Sequence, residues 1–409
     1  MSTVEDLLST GRPPAPWIAM RGAGALEQLR HQGFPHRRVE DWKYSDLREV
    51  LTAARGAAES PLIANPFAAL GCPGLELRDG ALVATTVPLP AGIELVDLSS
   101  RTPPPNWVER FLGSLLHEGL SGAALALMTG GVALRVSSGI IAEDPIGLFF
   151  CSHGSYHARV LLVVEEGAEL TLLEHHAHHS RLANVGFEIV LEKGARLRHV
   201  RLAQGGDDAA LVQTLGLSQA EGSRYQAHFA DLGARLSRLE LHLSLDGVAT
   251  QTELRGLQVL ARGRHSDVTT RLSHRAERTA SAQLFKQVLG AKARGAYQGR
   301  ITVAKGADGT DSRQSAKAVL LDPSAESDVK PELLIFADDV QCAHGAAIGD
   351  LDADALFYLR ARGLDDRQAR ALLIRAFLED VIATVASEAV RSCLWTAVDD
   401  ALEEIGVTE

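Results

Sequence analysis

A mainly β fold is what this 409-residue sequence predicts: a parallel β-helix of stacked coils, with helical segments at both ends. Three observations carry it. Charged-Gly-small turns recur at Glu166-Gly167-Ala168, Lys193-Gly194-Ala195, Glu221-Gly222-Ser223 and Asp246-Gly247-Val248, a repeat with a period in the twenties. Alternating apolar residues such as Leu239, Leu241, Leu243 and Leu245 trail those turns, as strand faces do. From Asp352 the apolar period becomes helical and stays so. Strand-and-turn units at one such fixed period mark a solenoid, whereas an antiparallel sandwich turns far more often and lacks the longer echo.

In order along the chain, residues 1–70 read as an N-terminal helical region. Gly24-Ala25-Leu26-Glu27-Gln28-Leu29-Arg30 forms a short helix stopped by Gly33 and Pro35. Arg38-Val39-Glu40-Asp41-Trp42-Lys43-Tyr44-Ser45 sets two aromatics among charges. That pattern fits a segment docking Trp42 and Tyr44 on the body, or a partner-docking element. Residues 71–349 form the β-helix core. A helical insertion near 105–128 follows Pro103-Pro104-Pro105, with Trp107, Phe111, Leu112, Leu115 and Leu116 at helical spacing. Residues 350–409 form a C-terminal helical domain. Asp352 to Arg360 is one helix ending at Gly363, and Asp365 with Gln368 makes a capping box for the next. Leu373, Phe377, Val381 and Val385, then Val390, Leu394, Val398 and Leu402, give two apolar stripes. Three helices covering one end of the solenoid, or a surface that holds a second protein, both fit.

Composition excludes several classes. A formal charge of -11 argues against nucleic-acid binding and against attraction to anionic membranes. Met1 to Leu8 lacks the basic and apolar regions of a secretory signal, and nowhere is there a run of about 18 apolar residues. A cytoplasmic protein is expected. The four cysteines, Cys72, Cys151, Cys342 and Cys393, are scattered, with no Cys-x-x-Cys, which favours free thiols over a disulfide framework.

Two clusters could carry chemistry. In Glu174-His175-His176-Ala177-His178-His179, a strand would point Glu174, His176 and His178 one way. Two imidazoles and a carboxylate on one face could bind a divalent metal, although no further ligand appears at a recognisable spacing. An exposed polar face is the simpler expectation. Cys342 and His344 stand in the same i, i+2 relation, so they could share a soft metal, or the imidazole could lower the thiol pKa. A Cys packed as a small hydrophobe is the alternative. Nucleophile elbow, P-loop, dinucleotide fingerprint and His-Glu-x-x-His are all missing, which favours a scaffold over an enzyme.

Several stretches in register resemble the SufB/SufD family: Ser312-Arg313-Gln314, Ala337-Asp338-Asp339-Val340-Gln341-Cys342-Ala343-His344-Gly345, and Leu356-Phe357-Tyr358-Leu359-Arg360-Ala361-Arg362-Gly363-Leu364. Glu40-Asp41-Trp42-Lys43-Tyr44-Ser45 is similar to that family's N-terminal Trp-Lys-Tyr segment. Within the family the chain looks most like SufD, with glycine rather than glutamate after His344. The resemblance implies a right-handed parallel β-helix and a non-catalytic subunit of an Fe–S cluster assembly scaffold. It implies pairing with a SufB-like paralogue and a SufC-like ABC-type ATPase, with a cysteine desulfurase system delivering sulfur indirectly; a homodimer would use the same edge. It places His344, and beside it Cys342, at the paralogue interface, and Leu356, Phe357, Tyr358, Arg360, Arg362, Gly363 and Leu364 at the ATPase contact. No tightly bound cofactor is expected in the isolated chain; iron or an Fe–S cluster would be transient in the complex, where a reduced flavin is also allowed. The run at 175–179 gains no role from it. A β-helix carbohydrate-active or carbohydrate-binding protein is the alternative, weakened by few aromatics.

Overall fold

A computed structural model describes residues 16–19, 21–53, 63–100, 102–152 and 154–407. The Met1–Leu8 segment read for a secretory signal lies outside the described residues. Among those described, no helix is long and apolar enough to cross a membrane.

Two sheets face each other across one core. Eight strands of one sheet run in parallel register from Ile146–Ser152 to Val340–Gly349, and eight of the other from Gly130–Val136 to Glu326–Ile335. Successive strands alternate between the sheets, so each coil contributes one strand to each: a parallel β-solenoid. Gly74–Arg78 continues the first sheet in parallel, and the antiparallel strands Ala81–Thr85 and Ile93–Asp97 finish the two sheets at the N-terminal end. Every second side chain points inward, building a core that includes Leu172, Phe187, Leu215, Leu241, Phe285 and Tyr297.

The coil length is not constant. Glu169 pairs with Arg196 in an early coil and Ala280 with Asp311 in a late one, and the late coil is the longer. The turn itself keeps one geometry. Gly167, Gly194, Gly222, Ala249, Arg278 and Gly309 all adopt positive φ, and the amide of each donates to a carbonyl in the turn of the next coil. Each precedes a buried small residue: Ala168, Ala195, Ser223, Thr250, Thr279 or Thr310. Asp246-Gly247 is therefore displaced from its expected place. Ala249 holds the left-handed position, while Gly247 is required for space, since a Cβ there would lie 2.0 Å from the Glu221 amide nitrogen.

Helices flank the solenoid. Ala23–Gln32 ends at Gly33 (φ 75°), as its sequence implies. Trp42 docks on the body: it is buried, and the Arg238 guanidinium lies 4.1 Å over its ring. Arg238 is itself fully buried, pairing with Asp267 and Glu240 and donating to the Asp41 carbonyl. Ser45 donates to the same Asp267 at 2.5 Å. In the insertion the helix Asn106–Phe111 stops short of Leu115 and Leu116. The buried Glu188 carboxylate takes the amides of Gly113, Leu115 and Leu116 at 2.7, 2.8 and 3.2 Å, holding that stretch as a loop; a second helix, Gly119–Ala126, follows.

The C-terminal helices Asp366–Ile382 and Glu388–Ile405 do not cover a solenoid end. They lie across the outer face of the ten-stranded sheet, packing Ile374, Leu378, Val390, Leu394, Val398 and Leu402 on Val200, Leu202, Leu232, Leu257, Val259 and Val288. Those strand residues are outward-facing yet apolar, so the helices bury the sheet's flank and leave its last coil open.

The turn assigns different effects to two substitutions. Gly222→Ala should lower stability by about 1 kcal/mol, because its Cβ meets nothing within 4 Å and only the left-handed backbone opposes it. Ala249→Gly should be neutral or stabilising by up to about 1 kcal/mol. Urea denaturation checks both, and equal destabilisation by the two would refute the shared turn.

Candidate functional site

The open end of the solenoid is the C-terminal one. Among the described residues, Val340–Gly349 pairs only with Thr310–Leu320, and Glu326–Ile335 only with Arg294–Val303, so each presents one free edge. Register stacks Cys342 on Ser312 and His344 on Gln314. Ser312 and Gln314 are buried, inward-facing residues. Cys342 and His344 therefore share the inward face of the last coil, as their spacing requires, and are open because no coil lies beyond them. Cys342 is half-buried and packs on the edge of the core; His344 is exposed. Around them Leu334, Ile335, Phe336 and Ile348 are exposed, Phe336 at 64 %.

The imidazole does not activate the thiol. Burial pushes the Cys342 thiol up, and the negative charge of Asp311 adds to that. All four cysteines are free. Among the described residues no group of three His, Cys, Asp or Glu side chains is arranged to hold a metal. Cys342 and His344 offer two donors at an edge, and a complete ligand set needs groups from elsewhere.

Asp350, Leu351 and Asp352 join this strand to the helix Ala353–Ala361. Asp352 caps that helix through the amides of Asp354 and Ala355 at 2.9 and 3.0 Å, and Gly363 (φ 97°) follows its end. The helix buries none of its residues. Leu356 and Leu364 are half-buried, while Phe357 (75 % exposed), Tyr358, Arg360, Arg362 and Gly363 are open to solvent. Arg362 lies 5.0 Å from the Tyr358 ring centre. An aromatic pair with adjacent guanidiniums on an otherwise unpacked helix has the composition of a protein-binding hot spot.

The histidine run is not on an exposed face. Glu174, His176 and His178 do point one way, but that way is into the solenoid, where all three are buried. Glu174 accepts from His176 Nε2 at 2.6 Å, His199 Nε2 at 2.8 Å and Gln213 Nε2 at 2.6 Å. Burial pushes its carboxyl up, but the His176 and His199 donors outweigh burial and hold it well below the usual range. Carboxylate and imidazoles are thus turned on one another, forming a polar knot in the core. His175, on the opposite face, is covered by Phe67. Sequence reading missed His199, Arg201 and Gln213. One coil period would have found the second, since Arg201 pairs directly with Glu174.

A family model described as the SufBD core domain of the SUF system for FeS cluster assembly matches residues 150–377, which include the open edge and the helix after it. An iron-sulfur cluster assembly SufBD family protein of Synechocystis sp. is 30% identical over 388 residues, covering 88% of this chain and 85% of its own. The iron-sulfur cluster assembly protein SufD of Escherichia coli is 27% identical over 385 residues, covering 90% and 89%. The chloroplastic protein ABCI7 of Arabidopsis thaliana is 32% identical over 275 residues, 64% of this chain and 58% of its own. Nothing in these matches points to the carbohydrate-binding alternative.

Buried histidines should make the fold acid-sensitive. Burial holds His178 down to about 3, and His175, His228, His265 and His274 down to about 4. Below roughly pH 6.5 the unfolded chain binds protons that the folded chain refuses. Stability should therefore be constant from these groups above that pH and fall between it and pH 4, by about 1.4 kcal/mol per pH unit for each histidine. Urea midpoints at pH 7, 6 and 5 test this, and His178→Asn should flatten the slope.

Proposed function

This chain belongs to the SufBD family of Fe–S cluster assembly proteins and is most like SufD within it, and on that footing we propose that it works as a non-catalytic scaffold subunit. It would pair with a SufB-like paralogue through the open coil and hold a SufC-like ABC-type ATPase on the helix Ala353–Ala361. The observation that carries this reading is the unfinished solenoid end. Free strand edges flanked by Phe336 and Ile348 invite strand addition by another chain. The two donors Cys342 and His344 lie on the face that such a chain would cover.

Iron or a nascent cluster is cargo in this scheme. His344 supplies an imidazole toward a thiolate of the paralogue, a pairing that Fe–S centres accept. Cys342, with its raised thiol pKa, supports packing at the interface more than it supports ligation. ATP binding in the partner subunits would twist the heterodimer and open this buried contact. The strand that carries Cys342 and His344 runs directly, through Asp350, Leu351 and Asp352, into the helix where that force would enter.

Two variants test the scheme. His344→Ala, co-expressed with the paralogue and the ATPase, should leave the complex intact and lower its iron and sulfide content several-fold; undiminished cluster content in an intact complex would sink the ligand role. Phe357→Ala with Tyr358→Ala should weaken ATPase binding at least about tenfold, as hot-spot aromatics do. Native mass of the purified chain alone separates a homodimer from a monomer awaiting its paralogue.

A further inference from the structure

The outer face of the ten-stranded sheet is covered by helices over only part of its width. Beside them runs an open groove of about 560 Å³, lined in part by Arg196, Arg198, Arg224 and Arg313. Such concentration of guanidiniums is unexpected on a chain of net charge -11.

Their arrangement is not that of an ordinary salt-bridged surface. Arg196 stands directly beside Arg224 on the neighbouring strand, roughly 4.8 Å away across the sheet, and like charges in that relation repel. Arg198 lies two residues on from Arg196, on the same face. Arg196 is paired with Glu169 at 2.7 Å. Among the described residues no carboxylate comes within 4 Å of Arg198 or Arg224, so two of the three cations are uncompensated. Beyond Arg224 the groove carries balanced charge. Glu253, on the middle strand, is held by Arg255 at 2.6 Å and by Gln226 at 3.2 Å, and Asp311, at the far end, pairs with Arg313 at 3.4 Å. Gln251, Ala280 and Ala282 complete the outward-facing lining between Arg224 and Asp311.

We propose that Arg196, Arg198 and Arg224 clamp the phosphate end of a small phosphorylated molecule lying in this groove. Guanidiniums match phosphate oxygens bidentately, and a volume of this size holds a nucleotide-sized ligand. The excess positive charge is confined to one end, which selects against an acidic polypeptide, because a chain of carboxylates running along the groove would find every cation beyond Arg224 already paired. A molecule anionic at one end and neutral at the other meets arginines first, then the Gln251 amide and the two alanines. The arginine end lies away from Cys342 and His344, whereas the other end, at Asp311 and Arg313, borders the strand that carries them.

Isothermal titration of the full chain with inorganic pyrophosphate, with tetraglutamate in parallel, decides the matter. Pyrophosphate should bind the wild-type chain, and the pair Arg198→Gln and Arg224→Gln should weaken it ten- to a hundredfold, the effect of losing charged hydrogen bonds (roughly 1.5–3 kcal/mol). Circular dichroism confirms that the double variant is folded, and Arg30→Gln, exposed on the helix Ala23–Gln32 that packs over the other sheet, should change nothing. Undetectable binding at millimolar pyrophosphate, equal binding by the double variant, or tetraglutamate binding as well as pyrophosphate would each overturn the proposal.

Discussion

Parallel strand pairing between successive coils is the constraint from which the rest of this molecule follows. Once Glu169 is fixed against Arg196 and Arg224 against Gln251, every inward position is stacked on the same position of the coil before it. The hydrogen-bonded turns at Gly194, Gly222 and Ala249 repeat the same backbone shape whatever residue occupies them. A one-residue slip would turn the core residues out and the charged ones in. The register therefore also decides which polar groups meet inside.

That interior is less oily than a solenoid core needs to be. Glu174, His176, His199, Arg201 and Gln213 form one buried polar cluster. Further along, Gln258 donates to Ser266 and receives from Gln287, which in turn receives from Ser327. Each link joins residues of the two sheets or of successive coils, so polar side chains fix the stacking as well as the backbone ladder does. Buried networks of this kind are worth most when complete and penalise any rearrangement that breaks them.

The repeating turns and alternating strands made the solenoid legible, because backbone geometry imposes period two and the coil imposes its own. The caps at Asp352 and Asp365 and the stop at Gly363 were legible for the same local reason. What depended on tertiary partners was not. Leu115 and Leu116 carry a helical pattern, yet Glu188, far along the chain, captures their amides. The stripes of the last two helices announced a packing surface without saying which, and the answer lay in outward-facing Val200, Leu202, Leu257 and Val259. Histidines 175 to 179 looked like surface because polarity alone does not reveal a partner one coil away. At the candidate site the shared face of Cys342 and His344 was legible from spacing, whereas the absence of thiol activation came from burial, with Asp311 on the strand beneath adding to it.

The two ends of the solenoid are unequal. At the N-terminal end short antiparallel strands, Ala81–Thr85 and Ile93–Asp97, end the sheets and reverse the parallel direction. A head-to-tail contact would set parallel edge strands of one copy against reversed strands of the next, so it would not continue the solenoid register. Two open ends joined face to face would satisfy each other and stop at two, the geometry that separates a dimer from a fibre.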